Sequence, residues 1–325
     1  MTISVVIATY NRAPLLADCL RSLQAQSYEP GDEVVIADNG STDGTARLIS
    51  ETRPTFPVPL RYVHEPRAGK SHALAAALTG CNADVLALTD DDVRVAPDWL
   101  SRIRRVMTES GAKLVGGRVL PLFGSRVPDW LELADLHGFG RMASPLALLD
   151  YGPTRLPIGP RAILGANMAV ERRVFHAAGG FAGSLGKLRG TLLSGEDDQL
   201  CQQVQAAGHL ALYDPTIVVH HVVPAERLRV GYFLRWFFWS GVTHARLDAA
   251  RANALPRVLG LPRYPLRLAG SSGAVALGAA LTAGWARAVA EATRTAFALG
   301  YIWASQRDPG ARAQNAVAGP RTEAA

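Results

Sequence analysis

Val85-Leu86-Ala87-Leu88-Thr89-Asp90-Asp91-Asp92-Val93 is the stretch that decides the fold. Its apolar first half predicts a buried strand, and three carboxylates follow where that strand ends. The residues Pro97-Asp98-Trp99-Leu100 then predict a helix with a proline near its first turn. Because ligands bind at the carboxyl ends of buried parallel strands, the three carboxylates lie where a binding site is expected.

Three neighbouring carboxylates repel one another and therefore face water or a cation. A divalent cation that prefers oxygen ligands, Mg²⁺ or Mn²⁺, would relieve the repulsion and could bridge to the phosphates of a substrate. An acidic surface turn is the alternative interpretation. The position of the three residues between a buried strand and a helix favours the cation site.

Strand-like and helix-like patterns alternate on both sides of this stretch. The predicted strands are 4–8, 33–37, 60–64 and 85–89, and the predicted helices are 14–26, 46–52 and 69–79. This alternation predicts a largely parallel, doubly wound sheet. Polar turns follow the first, the second and the acid-tipped strand, so we expect these turns at one edge of the sheet, where open α/β sheets bind nucleotides.

Two common nucleotide-binding motifs do not occur where this arrangement would require them. No Gly-x-Gly-x-x-Gly follows the first predicted strand, and Gly69-Lys70-Ser71 lacks the upstream glycine of a phosphate-binding loop. A Rossmann dehydrogenase and a P-loop NTPase are therefore disfavoured.

The positive charge of the chain is concentrated in its C-terminal part. The 325 residues carry a formal net charge of +6. Residues 226–325 contain 13 Arg and 5 acidic residues, a balance of +8, so the rest of the chain is at −2. An anionic membrane face or a nucleic acid would be a suitable partner for such a region.

Cysteine usage and the N-terminus indicate the compartment. Cys19, Cys81 and Cys201 are isolated, which favours reduced thiols and disfavours a zinc site. The chain starts directly with the apolar run Ile3-Ser4-Val5-Val6-Ile7-Ala8 and lacks the features of a signal peptide. We therefore expect a cytoplasmic protein.

A series of short motifs follows one another along the chain. The motifs are Val6-Ile7-Ala8-Thr9-Tyr10-Asn11-Arg12, Ala37-Asp38-Asn39-Gly40-Ser41-Thr42-Asp43-Gly44-Thr45, Thr89-Asp90-Asp91-Asp92, Gly116-Gly117-Arg118, Gly165-Ala166-Asn167-Met168-Ala169-Val170, Gly179-Gly180-Phe181, Gly195-Glu196-Asp197-Asp198-Gln199-Leu200 and Val219-His220-His221. In this order they make residues 3–235 resemble the family 2 glycosyltransferases with the GT-A fold.

The resemblance implies an α/β fold with a mixed, mostly parallel central sheet flanked by helices. The implied parts are a nucleotide-sugar-binding half at 1–115 and an acceptor-binding and catalytic half at 116–225. The composition of the rest predicts a helical extension at 226–305 that could be membrane-associated and a disordered tail at 306–325.

The resemblance also implies which residues bind the nucleotide-sugar donor. Thr9, Tyr10, Arg12 and Asp38 would line the pocket for the base and the ribose, and Asn167 would lie near the donor sugar. Asp38, at a strand end, can accept a hydrogen bond from a base N–H. A plain Asx turn is the alternative interpretation of Asp38.

Two basic residues precede or open the helix predicted at 69–79. Arg67 and Lys70, together with free backbone N–H groups at a helix start, suit a diphosphate. Solvated surface charge is the alternative interpretation of both residues.

The acidic motif and a histidine are expected to bind the cofactor, Mg²⁺ or Mn²⁺. Asp92 is the expected metal ligand, Asp91 would contact ribose or metal, and Asp90 could take either part. Of the pair His220-His221, at the end of a predicted strand, His221 is favoured for binding metal or phosphate. A structural histidine is the alternative.

The catalytic carboxylates are expected at 195–198, just before an amphipathic pattern. The resemblance implies that Asp197 is the general base for the acceptor hydroxyl and that Glu196 orients the acceptor or supports the base. Attack opposite the leaving diphosphate implies inversion. Acids favoured by the dipole of a helix N-terminus are the alternative interpretation.

The C-terminal region differs from the rest in composition. Tyr232 occupies the position of the Gln in the Gln-x-x-Arg-Trp motif of processive members, which favours transfer of a single sugar. Residues 268–286 are uncharged for 19 residues between Arg267 and Arg287, but they hold four Gly and seven Ala. This composition favours a helix packed on protein or lying at a membrane face over a membrane span.

The sequence thus predicts a metal-dependent, inverting, non-processive glycosyltransferase. Its donor would be linked to UDP, GDP or dTDP, and its hydroxyl acceptor would be lipid-linked or a growing surface glycan. We expect it in the cytoplasm, peripheral on the inner face of the membrane. A nucleotidyltransferase is one alternative, but the glycine series that would bind a triphosphate is missing. A nucleic-acid-binding protein is another, but its arginines are scattered, so no nucleic-acid partner is expected.

Overall fold

A computed structural model describes residues 1–135, 138–180, 192, 195–250, 257–258, 261–282 and 284–307, which fall into two compact units. The sheet unit comprises Met1–Gly124 and Gly195–Val223 with the described residues between 133 and 180. The helical unit comprises Ser125–Glu132 and the described residues from Pro224 onward. The division of the sheet unit at 115 stays a prediction. The predicted tail lies outside the described residues from position 308.

The sheet unit alternates strands and helices. Its strands are β1 (Ile3–Thr9), β2 (Glu33–Asp38), β3 (Leu60–His64), β4 (Val85–Asp90), β5 (Val93–Val95), β6 (Leu114–Phe123), β7 (Ala134–Asp135), β8 (Gly138–Phe139), β9 (Leu156–Pro157), β10 (Met168–Glu171) and β11 (Ala211–Val223). Its helices are α1 (Ala13–Gln24), α2 (Thr45–Thr52), α3 (Lys70–Leu78), α4 (Trp99–Ser110), α5 (Arg172–Ala177) and α6 (Glu196–Ala206).

The main sheet is mixed. Its strand order is β3-β2-β1-β4-β10-β6-β11-β5, with β9 beside β11. The first four strands in this order are parallel to one another. β10 runs antiparallel to both of its neighbours, and β11 is parallel to β6. This sheet, flanked by helices, confirms the predicted fold class.

The central strands are apolar on both faces, which explains why their sequences lack alternation. Val5, Val6 and Ile7 of β1 are fully buried, as are Leu86 and Ala87 of β4. Strands covered on both faces of a sheet read as continuous apolar runs. Polar residues therefore collect at the strand ends, where the candidate site forms.

The helix after the acidic motif begins within the predicted stretch. α4 starts at Trp99, with Asp98 at its N-cap position and Pro97 directly before it, near the first turn. Trp99 is fully buried and anchors the helix to the sheet unit. Gly111, with φ 70°, ends α4 in the left-handed conformation that glycine adopts easily.

The helical unit corrects the prediction of one helix across 268–286. Its elements are α7 (Val230–Ala250), β12 (Arg257–Val258), β13 (Leu261–Pro262), α8 (Arg263–Leu281) and α9 (Trp285–Arg307). The turn between α8 and α9 is closed by the N–H groups of Thr282 and Gly284, which donate to the carbonyl oxygen of Ala279 at 3.2 and 2.9 Å. No helix within the described residues combines the length and the apolar character needed to cross a bilayer.

Two glycines permit the close approach of α7 and α9. A Cβ added to Gly241 would overlap the carbonyl oxygen of Phe297, and one added to Gly300 would overlap the carbonyl oxygen of Phe238. Both obstacles are backbone atoms, so a rotamer change cannot remove them. The two helices would have to move apart to accept any larger residue.

Gly300→Ala is therefore expected to destabilise the helical unit by about 1–3 kcal/mol, the usual cost of overpacking. Gly270→Ala in α8 is the matched control, because an added Cβ there meets nothing within 4 Å in the described part of the chain. That variant should be unchanged or stabilised by up to about 1 kcal/mol, since alanine is the better helix former. Thermal unfolding of the intact protein, followed by circular dichroism, measures both. Equal melting temperatures would contradict the close approach.

Candidate active site

The site forms where three parallel strands end side by side. In the register of β1 with its neighbours, Thr9 pairs with Asp38 of β2 and Ala8 pairs with Asp90 of β4. The carboxyl ends of these strands therefore bring the first, second and acid-tipped turns together, as predicted. This is the edge at which open α/β sheets bind ligands.

Arg12 joins two carboxylates of the acidic motif. Its Nη1 donates to Oδ1 of Asp91 at 2.9 Å and to Oδ2 of Asp92 at 3.1 Å. Oδ2 of Asp91 accepts a further hydrogen bond from Oγ1 of Thr9 at 2.8 Å. Asp91 and Asp92 are only 3% and 5% exposed. Burial, with the charge of Asp92 nearby, raises the pKa of Asp91 in spite of Arg12.

His221 completes the acidic cluster on the side of β11. Its Nε2 lies 3.3 Å from Oδ1 of Asp92, and both side chains are buried. The backbone carbonyl of Asp92 accepts a hydrogen bond from the N–H of Val222 at 2.8 Å, which fixes the two segments to each other. The structure thus brings Thr9, Arg12, Asp91, Asp92 and His221 into one cluster, which we call the acidic cluster.

The acidic cluster fits a divalent cation that is shared with a substrate. Two ligand atoms at right angles on Mg²⁺ or Mn²⁺ are about 3 Å apart, close to the separation of Asp92 Oδ1 and His221 Nε2. Among the described residues, no three His, Cys, Asp or Glu side chains form a ready-made metal cage. Mg²⁺ sites commonly use one or two carboxylates together with substrate phosphates, so a partial ligand set suits this cofactor.

The two predicted diphosphate-binding cations differ in their surroundings. Nζ of Lys70 lies 2.5 Å from Oδ1 of Asp90. Burial lowers the pKa of Lys70, but Asp90, Asp197 and Glu196 outweigh it and the net pKa is raised, so Lys70 stays charged. Arg67 instead donates through Nε and Nη2 to the carboxylate of Glu65, both at 2.8 Å.

Arg67 forms an exposed ion pair with Glu65, whereas the ammonium group of Lys70 lies beside Asp90 at the end of β4. The side chain of Arg67 is 68% exposed, and its hydrogen bonds lower the pKa of Glu65 to about 2. Its carbonyl oxygen accepts a hydrogen bond from Nδ2 of Asn39 at 2.6 Å. Oδ1 of Asn39 accepts from the N–H of Gly69 at 2.8 Å. Asn39 therefore fixes the loop that carries Arg67 and Lys70. The sequence pattern predicts a turn at Asn39 but not this role.

Asp38 is buried and engaged on both oxygens. Oδ1 accepts the N–H of Ser41 and Oδ2 accepts the hydroxyl of Tyr62, both at 2.8 Å. The first contact is the turn geometry that was the alternative interpretation of Asp38. Burial and the contact with Asp38 raise the pKa of Tyr62 to about 12, so Tyr62 remains a donor. Tyr10 is 40% exposed and its ring is accessible to a ligand.

Asp197 and Glu196 lie in the first turn of α6. Oδ2 of Asp197 accepts the N–H of Gly165 at 2.8 Å. Burial, followed by the charge of Glu196, raises the pKa of Asp197 to about 7, against the lowering effect of Lys70. Oε2 of Glu196 is buried and has no hydrogen-bond partner among the described residues. Gly165 must stay small, because a Cβ would lie 2.7 Å from Oδ1 of Asp197.

Asn167 is placed in the interior, where it serves the framework. Its Nδ2 donates to the carbonyl oxygens of Arg118 and Ile217 at 2.9 and 3.0 Å, and its Oδ1 accepts from Nε1 of Trp99 at 2.8 Å. The side chain is 1% exposed. Both ends of the amide are bound to protein, so Asn167 holds the framework in this structure, and its position near the donor sugar stays a prediction.

Comparison of the sequence with known proteins identifies relatives. The family described as Glycosyl transferase family 2 matches residues 4–164. The succinoglycan biosynthesis protein ExoM of Rhizobium meliloti is 32% identical over 257 residues, which cover 78% of this chain and 77% of that protein. A glucosyl-dolichyl phosphate glucuronosyltransferase of Haloferax volcanii is 25% identical over 259 residues, which cover 76% of this chain and 78% of that protein.

The fold also has solved counterparts. The mannosyltransferase PcManGT from Pyrobaculum calidifontis, solved in complex with GDP-Man and Mn²⁺, superposes with a TM-score of 0.61 over 93% of this chain and 87% of that chain, at 23% identity. At this identity the likeness establishes the fold alone. Together, the relatives and the fold show that this chain belongs to glycosyl transferase family 2 and is a glycosyltransferase with the GT-A fold.

Proposed function

We propose that the chain transfers a sugar from a nucleoside diphosphate sugar to a hydroxyl group, with inversion at the anomeric carbon and with a divalent cation as cofactor. One observation carries the proposal. Arg12 on Asp91 and Asp92, and Lys70 on Asp90, place cations at the strand ends. The charge of Lys70 acts on a further carboxylate, Asp197, whose pKa is raised to about 7. Cations for a leaving group and a base for an incoming group thus lie within electrostatic reach of each other.

Asp197 is the proposed base. A carboxylate with a pKa near the working pH can take the proton of the acceptor hydroxyl as its oxygen attacks the anomeric carbon. The N–H of Gly165, which donates to Asp197, keeps that carboxylate oriented. A single displacement with one base inverts the anomeric configuration. Glu196, whose buried Oε2 has no hydrogen-bond partner in the part of the chain that the structure describes, is the proposed acceptor for a further hydroxyl of the incoming sugar.

Lys70 and Arg12 are the proposed partners of the departing diphosphate. Both are cations at strand ends, and charge-assisted hydrogen bonds to a leaving diphosphate stabilise the charge that develops on it. Asp92, His221 and Asp91 would hold the divalent cation, which when bound supplies further charge stabilisation to the same group. Asp38, Thr9 and Tyr10 remain the proposed contacts of base and ribose.

A donor screen tests this proposal. UDP-, GDP- and dTDP-linked sugars are offered with and without Mn²⁺, and release of the nucleoside diphosphate is followed. We expect turnover with one class of base, dependence on Mn²⁺, and a product whose anomeric configuration, read by proton NMR, is opposite to that of the donor. Turnover that survives a chelator, or a retained configuration, would contradict the corresponding part of the proposal. The complex of PcManGT with GDP-Man and Mn²⁺ supports the choice of donor class and cofactor.

The acceptor is proposed to be a hydroxyl of a lipid-linked sugar or of a growing surface glycan, which receives one sugar at a time. The name of the Haloferax relative specifies a glucosyl-dolichyl phosphate, and that of the Rhizobium relative specifies succinoglycan biosynthesis. The first name supports a lipid-linked acceptor and the second a polysaccharide acceptor. A peripheral position on the inner membrane face is proposed with the lipid-linked acceptor.

The turn between α8 and α9 is the proposed contact with this membrane. Leu277, Leu281 and Trp285, which we call the apolar tip, are 66%, 81% and 56% exposed. Residues 268–286 carry no charge, while Arg267 and Arg287 flank them. Exposed Leu and Trp beside arginines suit the interface of a bilayer with anionic headgroups.

Leu281→Glu is expected to reduce the binding of the protein to vesicles of phosphatidylcholine and phosphatidylglycerol by at least about tenfold, because it places a charge in the apolar tip. Leu299→Glu is the matched control, since Leu299 of α9 is also exposed (51%) but lies several turns from the tip. Flotation of both variants and the unchanged protein gives the comparison. Equal losses of vesicle binding in both variants would contradict a membrane contact through the apolar tip.

A further inference from the structure

Arg12 contacts both buried carboxylates of the acidic cluster, which indicates a role in addition to binding the donor. A single nitrogen, Nη1, lies between Oδ1 of Asp91 and Oδ2 of Asp92, at 2.9 and 3.1 Å. The two carboxylates are almost completely buried, whereas the side chain of Arg12 is 42% exposed. The guanidinium thus reaches from the surface onto the two residues that are proposed to hold the divalent cation.

Every oxygen of the two carboxylates has a partner in this arrangement. Oδ1 and Oδ2 of Asp91 accept hydrogen bonds from Arg12 and Thr9, respectively. Oδ2 of Asp92 accepts one from Arg12, and its Oδ1 faces Nε2 of His221. A divalent cation bound to Asp92 and His221 would lie beside the guanidinium. Since both are positive and lie next to each other on the same buried carboxylates, they repel each other.

A nucleoside diphosphate would remove this conflict. Its phosphates are a bidentate partner for a guanidinium, and the exposed side chain of Arg12 has room to turn toward them. The oxygens that Arg12 leaves are then available to the cation, and the phosphates supply the ligands that the cluster itself lacks. Binding of the cation and binding of the nucleotide would favour each other, and by linkage the effect is mutual.

We propose that Arg12 competes with the divalent cation for Asp91 and Asp92, so that the cation binds firmly only together with the nucleoside diphosphate. This inference rests on the proposed cation-dependent transfer. It gives Arg12 a positioning role, in which the residue sets the order of binding and keeps the buried carboxylates neutralised.

Binding of Mn²⁺ to the full chain tests the inference without any turnover. Free Mn²⁺ is followed by electron paramagnetic resonance in titrations with Mn²⁺ alone and with Mn²⁺ plus UDP or GDP, corrected for binding of Mn²⁺ by the nucleotide itself. Arg12→Gln is expected to bind Mn²⁺ alone roughly tenfold more tightly than the unchanged protein, because one repelling charge is gone. The gain in affinity on adding the nucleotide should shrink by a similar factor.

Two further variants make the outcome specific. Arg94→Gln removes the same charge from an exposed side chain that pairs with Asp18, so it should leave the affinity for Mn²⁺ unchanged. Arg12→Lys keeps a cation and should restore most of the competition, and a melting curve shows that each variant is folded. Binding of Mn²⁺ alone by Arg12→Gln that is no tighter than normal overturns the inference. If the unchanged protein binds no Mn²⁺ even with UDP or GDP, the proposed cofactor itself is overturned.

Discussion

Replacing Asp197 by Asn is expected to lower the rate of sugar transfer by about 10²–10⁴-fold, the usual contribution of a general base. Asparagine has nearly the same shape and can still accept the hydrogen bond from the N–H of Gly165, but it cannot take a proton. The affinity for the donor nucleotide should stay within about twofold, because the donor contacts involve other residues. Turnover and calorimetric binding of the donor separate the two effects.

The pH dependence gives a second measure of the same residue. Because burial and Glu196 raise the pKa of Asp197 to about 7, the unchanged enzyme should lose about tenfold in rate for each pH unit below 7. The effect on stability has the opposite sign. A carboxyl whose pKa is higher in the folded than in the unfolded chain costs stability above pH 7, and this cost disappears below about pH 4. Asp197→Asn should therefore melt at an equal or higher temperature at pH 8.

Asp198→Asn is the matched control for Asp197→Asn. It removes one negative charge from the same turn of α6, but Asp198 is exposed. Its rate and its pH profile should remain close to normal. Transfer retained by Asp197→Asn, or an acid limb of the profile unchanged in that variant, would remove Asp197 from the role of base.

The position of the candidate site at one edge of the sheet was predictable, because it depends on local sequence patterns. Apolar runs without alternation indicate strands covered on both faces, and polar turns that follow such strands must lie at one edge if the strands are parallel. The pairing of Thr9 with Asp38 and of Ala8 with Asp90 is the direct consequence. The turns that are proposed to bind the cation and the nucleotide could thus be located from the sequence.

The contacts within the site could not be predicted, because they join residues far apart in sequence. Arg12 and Asp91 are 79 positions apart, and Tyr62 and Asp38 are 24 apart. The direction of a long side chain depends on which strands are neighbours, and β10, only four residues long, enters antiparallel between β4 and β6. The framework contacts of Asn167 show the same limit. Its motif is small and glycine-rich, but its amide joins residues near 118 and 217 with Trp99.

The break in the uncharged stretch 268–286 shows a different limit. Alanine favours a helix throughout, and no proline marks the turn between Leu281 and Trp285. Gly284 lies in this turn and donates its N–H to the carbonyl oxygen of Ala279, as glycines beyond a helix end commonly do. Four glycines are spread over the stretch, so the composition alone does not show where the helix ends.

Replacing Asp92 by Ala is expected to remove cation-dependent transfer, with a loss in turnover of at least about 10²-fold. Asp92 has the central place in the acidic cluster, because its two oxygens face two different partners, Arg12 and His221. Truncation therefore removes a carboxylate ligand and leaves His221 without the neighbour that completes a pair of adjacent ligands. It also leaves Arg12 with Asp91 alone. The dependence of the rate on Mn²⁺ concentration should shift to much higher concentration or vanish.

Asp98→Ala is the appropriate comparison for Asp92→Ala, since Asp98 belongs to the same connection but is 47% exposed and pairs with Arg102. It makes no side-chain cap to α4, so its loss should change neither the rate nor the requirement for Mn²⁺. Titration with Mn²⁺ in the presence of the donor nucleotide separates a lost cation from a damaged fold, because a folded variant still binds the base and ribose. Normal Mn²⁺-dependent transfer by Asp92→Ala would show that the buried carboxylates serve only to hold Arg12, and the cation would then have to be sought elsewhere in the chain.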